Sequence, residues 1–247
     1  MRFFTIILML CYFTSAHSQK EIVLRLSHAL NDSSFKYNEN FEVDGNKNYY
    51  TRLQYYLSGF ELGHDGGEST ILNNVYVLAS GHISNYYLGN FNVSSLESIS
   101  FDVGVDQIAN SGNTTNYSSL HPLGPKSPPM DWGWPSGYFF VVTNGFTDAD
   151  NDNIPETNFQ LHALGNGMLT AIDPIYLSGT NLNDTIYVDL IVNTERFISG
   201  INLSSVGSDH SSSADNLKMC NNSSTLNIFE PGYIDVTSLK ENNVSSD

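Results

Sequence analysis

Apolar and polar residues alternate with a period of two along most of this chain. Ile22, Leu24 and Leu26 alternate with Val23, Arg25 and Ser27, the pattern of a strand with one buried face. Leu53, Tyr55 and Leu57 repeat it, and Asp65-Gly66-Gly67 follows as a turn. Val75–Leu78 is a short apolar strand, and Ile99, Phe101, Val103 and Val105 alternate with Ser98, Ser100, Asp102 and Gly104. Tyr138–Val142, Phe159–Ala163 and the series Ile186, Val188, Leu190, Val192 complete the set. No segment combines helix caps with a sustained 3.6-residue period. Many short strands with Gly, Asn and Ser between them predict an all-β fold, an antiparallel β-sandwich with long functional loops.

The N-terminus departs from this pattern. Met1-Arg2 precedes an apolar run from Phe3 to Phe13, and Ala16 and Ser18 occupy the positions a signal peptidase reads. Residues 1–18 are expected to be a secretory signal peptide, too short to span a bilayer, with cleavage before Gln19. The expected domain then covers 19–205, and a Ser/Asn-rich, partly loose C-terminal segment covers 206–247. No later stretch is apolar enough for a membrane span. The expected location is secreted, in a periplasm or at a cell surface.

Charge and cysteine content narrow the partners. The formal charge is −16 at pH 7, and loss of Arg2 with the signal lowers it by one more. Such a chain repels nucleic acid and anionic lipid and favours cations. Cys11 leaves with the signal and Cys220 remains alone, so neither an internal disulfide nor a multi-cysteine zinc site is available. G-x-S-x-G, H-E-x-x-H and Gly-rich phosphate loops are absent, and the expectation is a binding protein, not an enzyme.

Two loops interrupt the strands. Residues 107–131 carry almost no strand pattern, and a loop of that length in a compact domain is usually functional. The other reads Asp148-Ala149-Asp150-Asn151-Asp152-Asn153-Ile154-Pro155-Glu156. Carboxylates at positions 1, 3 and 5, the Ile154 carbonyl at 7 and Glu156 at 9 begin an oxygen cage for calcium. Phe159 stands at position 12, where an EF-hand has a bidentate Glu, and Asn153 stands where it has Gly. The competing reading is an acidic, solvated hairpin loop.

The segment F-D-V-G-V-D from Phe101, H-P-L-G-P from His121, and M-D-W-G-W-P-S-G-Y-F-F from Met130 resembles the MbnP-like family of methanobactin-associated copper-binding proteins. Leu53–Phe60 and the strand around Leu161-His162-Ala163 are similar to further family strands, so the resemblance covers roughly residues 21–205. It implies a secreted β domain that binds copper. It also implies histidines that share the metal with a tryptophan oxidised to kynurenine by a partner di-haem protein.

Of the histidines past the signal, His28 continues the apolar face of the first strand, and His162 matches the family's His-bearing strand. The expected copper site uses these two, with His121 as a further candidate and Trp132 and Trp134 supplying or shielding a third position. Each has a plainer reading: His28 as a hydrogen-bonded core residue, His121 as a solvated loop residue, the tryptophans as a hydrophobic plug. His64, His82 and His210, in turn-like sequence, read as surface residues. The alternative function is a cell-surface adhesion or carbohydrate-binding module without copper. Exposed tryptophans would favour that reading, and buried tryptophans beside converging histidines would favour copper.

Overall fold

A computed structural model describes residues 19–31, 33–81, 85–133, 135–177 and 184–233. The expected signal peptide, His82 and Trp134 lie outside the described residues. The strands are β1 (Lys20–Leu30), β2 (Ser33–Ser34), β3 (Phe41–Val43), β4 (Asn46–His64), β5 (Glu68–Ile71), β6 (Val77–Ser80) and β7 (Asn85–Phe91). They continue with β8 (Leu96–Val103), β9 (Phe139–Thr147), β10 (Thr157–Leu164), β11 (Thr170–Tyr176), β12 (Thr185–Asn193), β13 (Ser208–Ser211) and β14 (Phe229–Pro231). Short helices α1 (Gln107–Asn110) and α2 (Leu203–Val206) and the longer α3 (Ala214–Thr225) complete the fold.

Two sheets form. In one, β14, β12, β1 and β2 are neighbours in that order and β7 also pairs with β1. The other runs β11-β8-β4-β9-β10-β13, with β3, β5 and β6 also paired to β4. The expected all-β sandwich is thus the fold, and each predicted strand overlaps an observed one, although Val75, Val105 and Tyr138 lie just outside β6, β8 and β9. The expectation of purely antiparallel pairing needs one correction, because β1–β12 and β10–β13 are parallel. Parallel neighbours need long connections, and here each such pair joins strands distant in sequence.

Alternation decides what enters the core. Ile22, Leu24 and Leu26 are buried and face the second sheet. Across the interface Phe101 meets Phe229 edge-on with centroids 5.0 Å apart, and the Tyr50 hydroxyl donates to the Thr194 carbonyl at 2.9 Å. In the second sheet the registers Leu53↔Thr143 and Tyr55↔Val141, with Leu161↔Thr143, align one buried row on the inner face. Gln54, Val142 and His162 form the adjacent row and therefore point to the outer face.

Loop 107–131 folds back over that outer face. Leu123 and Met130 are buried. Tyr56 donates to the Pro122 carbonyl and Tyr138 to that of Leu123, while Arg52 donates to the Pro129 carbonyl and the Met130 sulfur.

The domain also runs past residue 205. β13 adds a strand to β10, and α3 begins at the cap Ser213, whose hydroxyl accepts from the Asn216 amide. Met219 and Cys220 on this helix are fully buried, and burial pushes the Cys220 thiol up to about 12. Ser/Asn-rich composition concealed these elements, because β13 carries no apolar side chain and α3 buries only Met219 and Cys220 among polar neighbours. Among the described residues no helix is long and apolar enough to cross a membrane.

Candidate metal centre

The parallel pairing of β10 with β13 sets His162 directly opposite His210. Their rings meet edge to face, centroids 4.2 Å apart. His162 Nε2 lies 2.7 Å from Asn144 Oδ1. An amide oxygen only accepts, so Nε2 carries the proton. His210 Nε2 lies 2.9 Å from the Ser208 hydroxyl, whose own proton goes to Gln160 Oε1. The hydroxyl therefore accepts from His210 Nε2 as well. Both rings are left with a lone pair on Nδ1, and both Nδ1 atoms are buried without a hydrogen-bond partner.

Burial, reinforced by the neighbouring His210, pushes His162 down to about 3. It is neutral at physiological pH, the state in which imidazole ligates metals. Unpaired buried acceptors cost free energy, and a soft or borderline cation is a partner that a neutral imidazole nitrogen takes. The donor set fits copper or another imidazole-preferring metal, and Asn144 and Ser208 are the partners that orient such ligands.

Trp132 closes one side. Its ring lies 5.0 Å from His210 and 5.8 Å from Phe139, and Phe139 in turn packs on His162 at 5.0 Å. The indole is still 56 % exposed. It is therefore neither the buried plug nor the free platform contemplated from sequence: one part packs on His210 and Phe139 and the rest meets solvent.

The other candidates lie elsewhere. His28 is buried between the sheets, its Nε2 2.9 Å from the Tyr55 hydroxyl, and burial pushes it down to about 4. Tyr55 sits on the inner face of the second sheet and His162 on the outer face, so the sheet itself separates them. This corrects the expected pairing of His28 with His162. His121 is on the folded-back loop, stacked on Tyr117 at 4.5 Å, with Nδ1 accepting from the Leu123 amide; it does not join the pair. His64 was read as a surface residue. It is instead buried, bonded to Asp65 and Thr70.

His210 is the residue that sequence reasoning missed. Its setting, Ser208-Asp209-His210-Ser211, looks like a turn, and no apolar alternation marks it as a strand. Its pairing with β10 is a long-range event that no local pattern encodes.

The acidic loop joins β9 to β10. One carboxylate oxygen each of Asp148, Asp150, Asp152 and Glu156 lie within 4.8 Å of one another. Asp148 is buried and accepts from the Asn153 amide at 2.8 Å. The Asp152 side chain accepts from the Ile154 amide at 2.8 Å. Asn151 and Asn153 adopt left-handed backbone, φ 63° and 73°, a conformation Asn tolerates. The cluster has the composition to hold a hard cation, calcium included.

Comparison with known proteins places these features. No curated protein matches the chain. Among solved structures, MbnP from Methylosinus trichosporium is similar over 76 % of this chain and 80 % of that one, at 14 % identity and a TM-score of 0.46. The MbnP family model matches residues 19–221. That span takes in β1 through most of α3, including both histidines of the pair, and the chain belongs to the MbnP family.

Proposed function

We propose that this protein is an exported copper-binding protein, acting in copper acquisition or storage and not as an enzyme. The observation that carries this reading is the His162–His210 pair with two buried, unpartnered Nδ1 atoms. Family membership gives a copper-related setting. His162 and His210 would hold the ion and Trp132 would shield it or, if oxidised, contribute to it. The exposed edge of Trp132 leaves it reachable by a di-haem partner that oxidises tryptophan. The apolar N-terminal run supports export to a periplasm or cell surface.

A second, structural cation belongs to the same reading. Asp148, Asp150, Asp152 and Glu156, joined by the Ile154 carbonyl, would bind calcium and pin the β9–β10 connection. Copper titration followed by X-ray absorption tests the main proposal: nitrogen scattering from two imidazoles is expected, and its loss in His162→Ala/His210→Ala.

The exposure of Trp132 favours one other reading, a carbohydrate-binding surface. In that case Trp132→Ala would abolish oligosaccharide binding while metal content stayed unchanged.

A further inference from the structure

The start of loop 107–131 builds a second feature on the molecule. A cleft of about 380 Å³ lies between the turn that links β5 to β6, the backbone at Gly59, and the segment from Asp106 to Tyr117. That volume suits a small molecule. Leu72, Val75 and Ala109 line it, and Ile108 at its rim is 88 % exposed. Tyr76 and Tyr117 add aromatic walls. Both rings are held in place: the Tyr76 hydroxyl donates to Asp106 Oδ2 at 2.6 Å, and Tyr117 is stacked on His121.

The charge in and beside the cleft is negative and, among the described residues, lacks a cationic partner. Asp106 lines it, its other oxygen accepting from the Ile108 and Ala109 amides. Asp102 rests against Gly59, where a Cβ would come within 2.5 Å of its Oδ2. Among the described residues neither carboxylate has an ion-pair partner. Burial, and then the charge of Asp106, hold the Asp102 carboxyl above its usual range. The Lys126 ammonium donates to the Ser119 and His121 carbonyls. Burial and Lys126 together lower His121, which keeps that ring neutral.

We propose that this cleft binds a small organic ammonium ion, its positive head near Asp102 and Asp106 and its alkyl groups against Tyr76, Tyr117 and the apolar rim. A hydrated inorganic cation would gain the carboxylates and forgo the apolar walls. A neutral apolar molecule would leave the two charges uncompensated, and an anion would be repelled. An alkylated ammonium satisfies both, and aromatic rings attract it through their quadrupoles. The proposal is independent of copper.

Calorimetric titration of the whole secreted chain at low ionic strength tests it, with tetramethylammonium, butylammonium and choline as probes. The neutral carbon isostere 3,3-dimethylbutan-1-ol is the control for choline. At least one ammonium is expected to bind, and choline at least tenfold more tightly than its isostere. Asp102→Asn is expected to weaken ammonium binding about tenfold and leave the isostere unchanged. Asp106→Asn, which keeps the side-chain cap on α1, is a second variant expected to act in the same direction. Absence of heat with all three ammonium ions up to ~50 mM would overturn the proposal. So would equal affinity for choline and its isostere, or indifference of ammonium binding to both substitutions. Copper uptake by the same samples is expected to be unchanged, so failure here and failure of the copper reading are separate results.

Discussion

His162 and His210 occupy directly opposed positions on two parallel strands, each with Nε2 protonated toward a fixed acceptor and Nδ1 buried and unpaired. The arrangement presents two preorganised nitrogen lone pairs from residues 48 apart in sequence, held by backbone pairing and not by a flexible loop.

Removal of either imidazole is expected to lower copper affinity by at least about a hundredfold, and Asn144→Ala by about tenfold through loss of ring orientation. His28→Ala is expected to leave copper binding intact. Competition with a chelator of known affinity measures all three. Unchanged affinity in His210→Ala, with loss in His28→Ala, would restore the pairing expected from sequence.

His28 and Tyr55 form a buried polar pair between the sheets. Tyr55→Phe deletes the hydroxyl and leaves Nε2 without that partner, at an expected cost of about 1–3 kcal/mol. Urea denaturation of the metal-free chain gives the value. A change smaller than about 0.5 kcal/mol would mean that the bond contributes nothing net.

Acid should destabilise the fold well before its carboxylates titrate. In the unfolded chain His28 takes up a proton near its ordinary pKa of about 6.5, whereas in the folded chain burial delays this to about 4. Below about 6.5 the unfolded state therefore binds more protons, and stability falls as pH falls. For this group the slope is about 1.4 kcal/mol per pH unit, levelling off below the folded value. His162, lowered in the same direction, adds to the slope in the metal-free protein. Denaturation at pH 7 and pH 4.5 should differ accordingly, and His28→Gln should reduce the difference.

Calcium at millimolar concentration is expected to raise the melting temperature, and Asp150→Ala to remove most of the gain. At a calcium concentration a hundred times its dissociation constant the stabilisation would be about 2.7 kcal/mol. If calorimetry registers neither heat nor a shift, the loop is a solvated turn held by its own Asx contacts.

A chain ending at residue 205 is expected to fail to fold cooperatively. It would lack β13 with His210, the buried Met219 and Cys220 of α3, and Phe229, which packs on Phe101 and Tyr55. A sharp two-state melt of that truncation, by circular dichroism, would show the C-terminal elements to be dispensable.

Periodicity alone placed seven strands, because a side chain's face in a strand depends on its immediate neighbours: Ile22, Leu24 and Leu26 are buried for the reason their alternation announces. The acidic loop was equally readable, since its carboxylates are brought together by one local turn. The sandwich class and the family resemblance followed from these local signals. Edge strands such as Asn85–Phe91 and Thr170–Tyr176 escaped, the first largely exposed and the second interrupted by Pro174. What tertiary structure decided was which histidines meet. His28 and His162 carry similar local signals, yet sheet registers put them on opposite sides of one sheet. His210 carries almost none, yet a parallel pairing brings it against His162. Register between strands distant in the chain is fixed by packing of the whole molecule, so the histidine pair became legible only when the sheets were assembled.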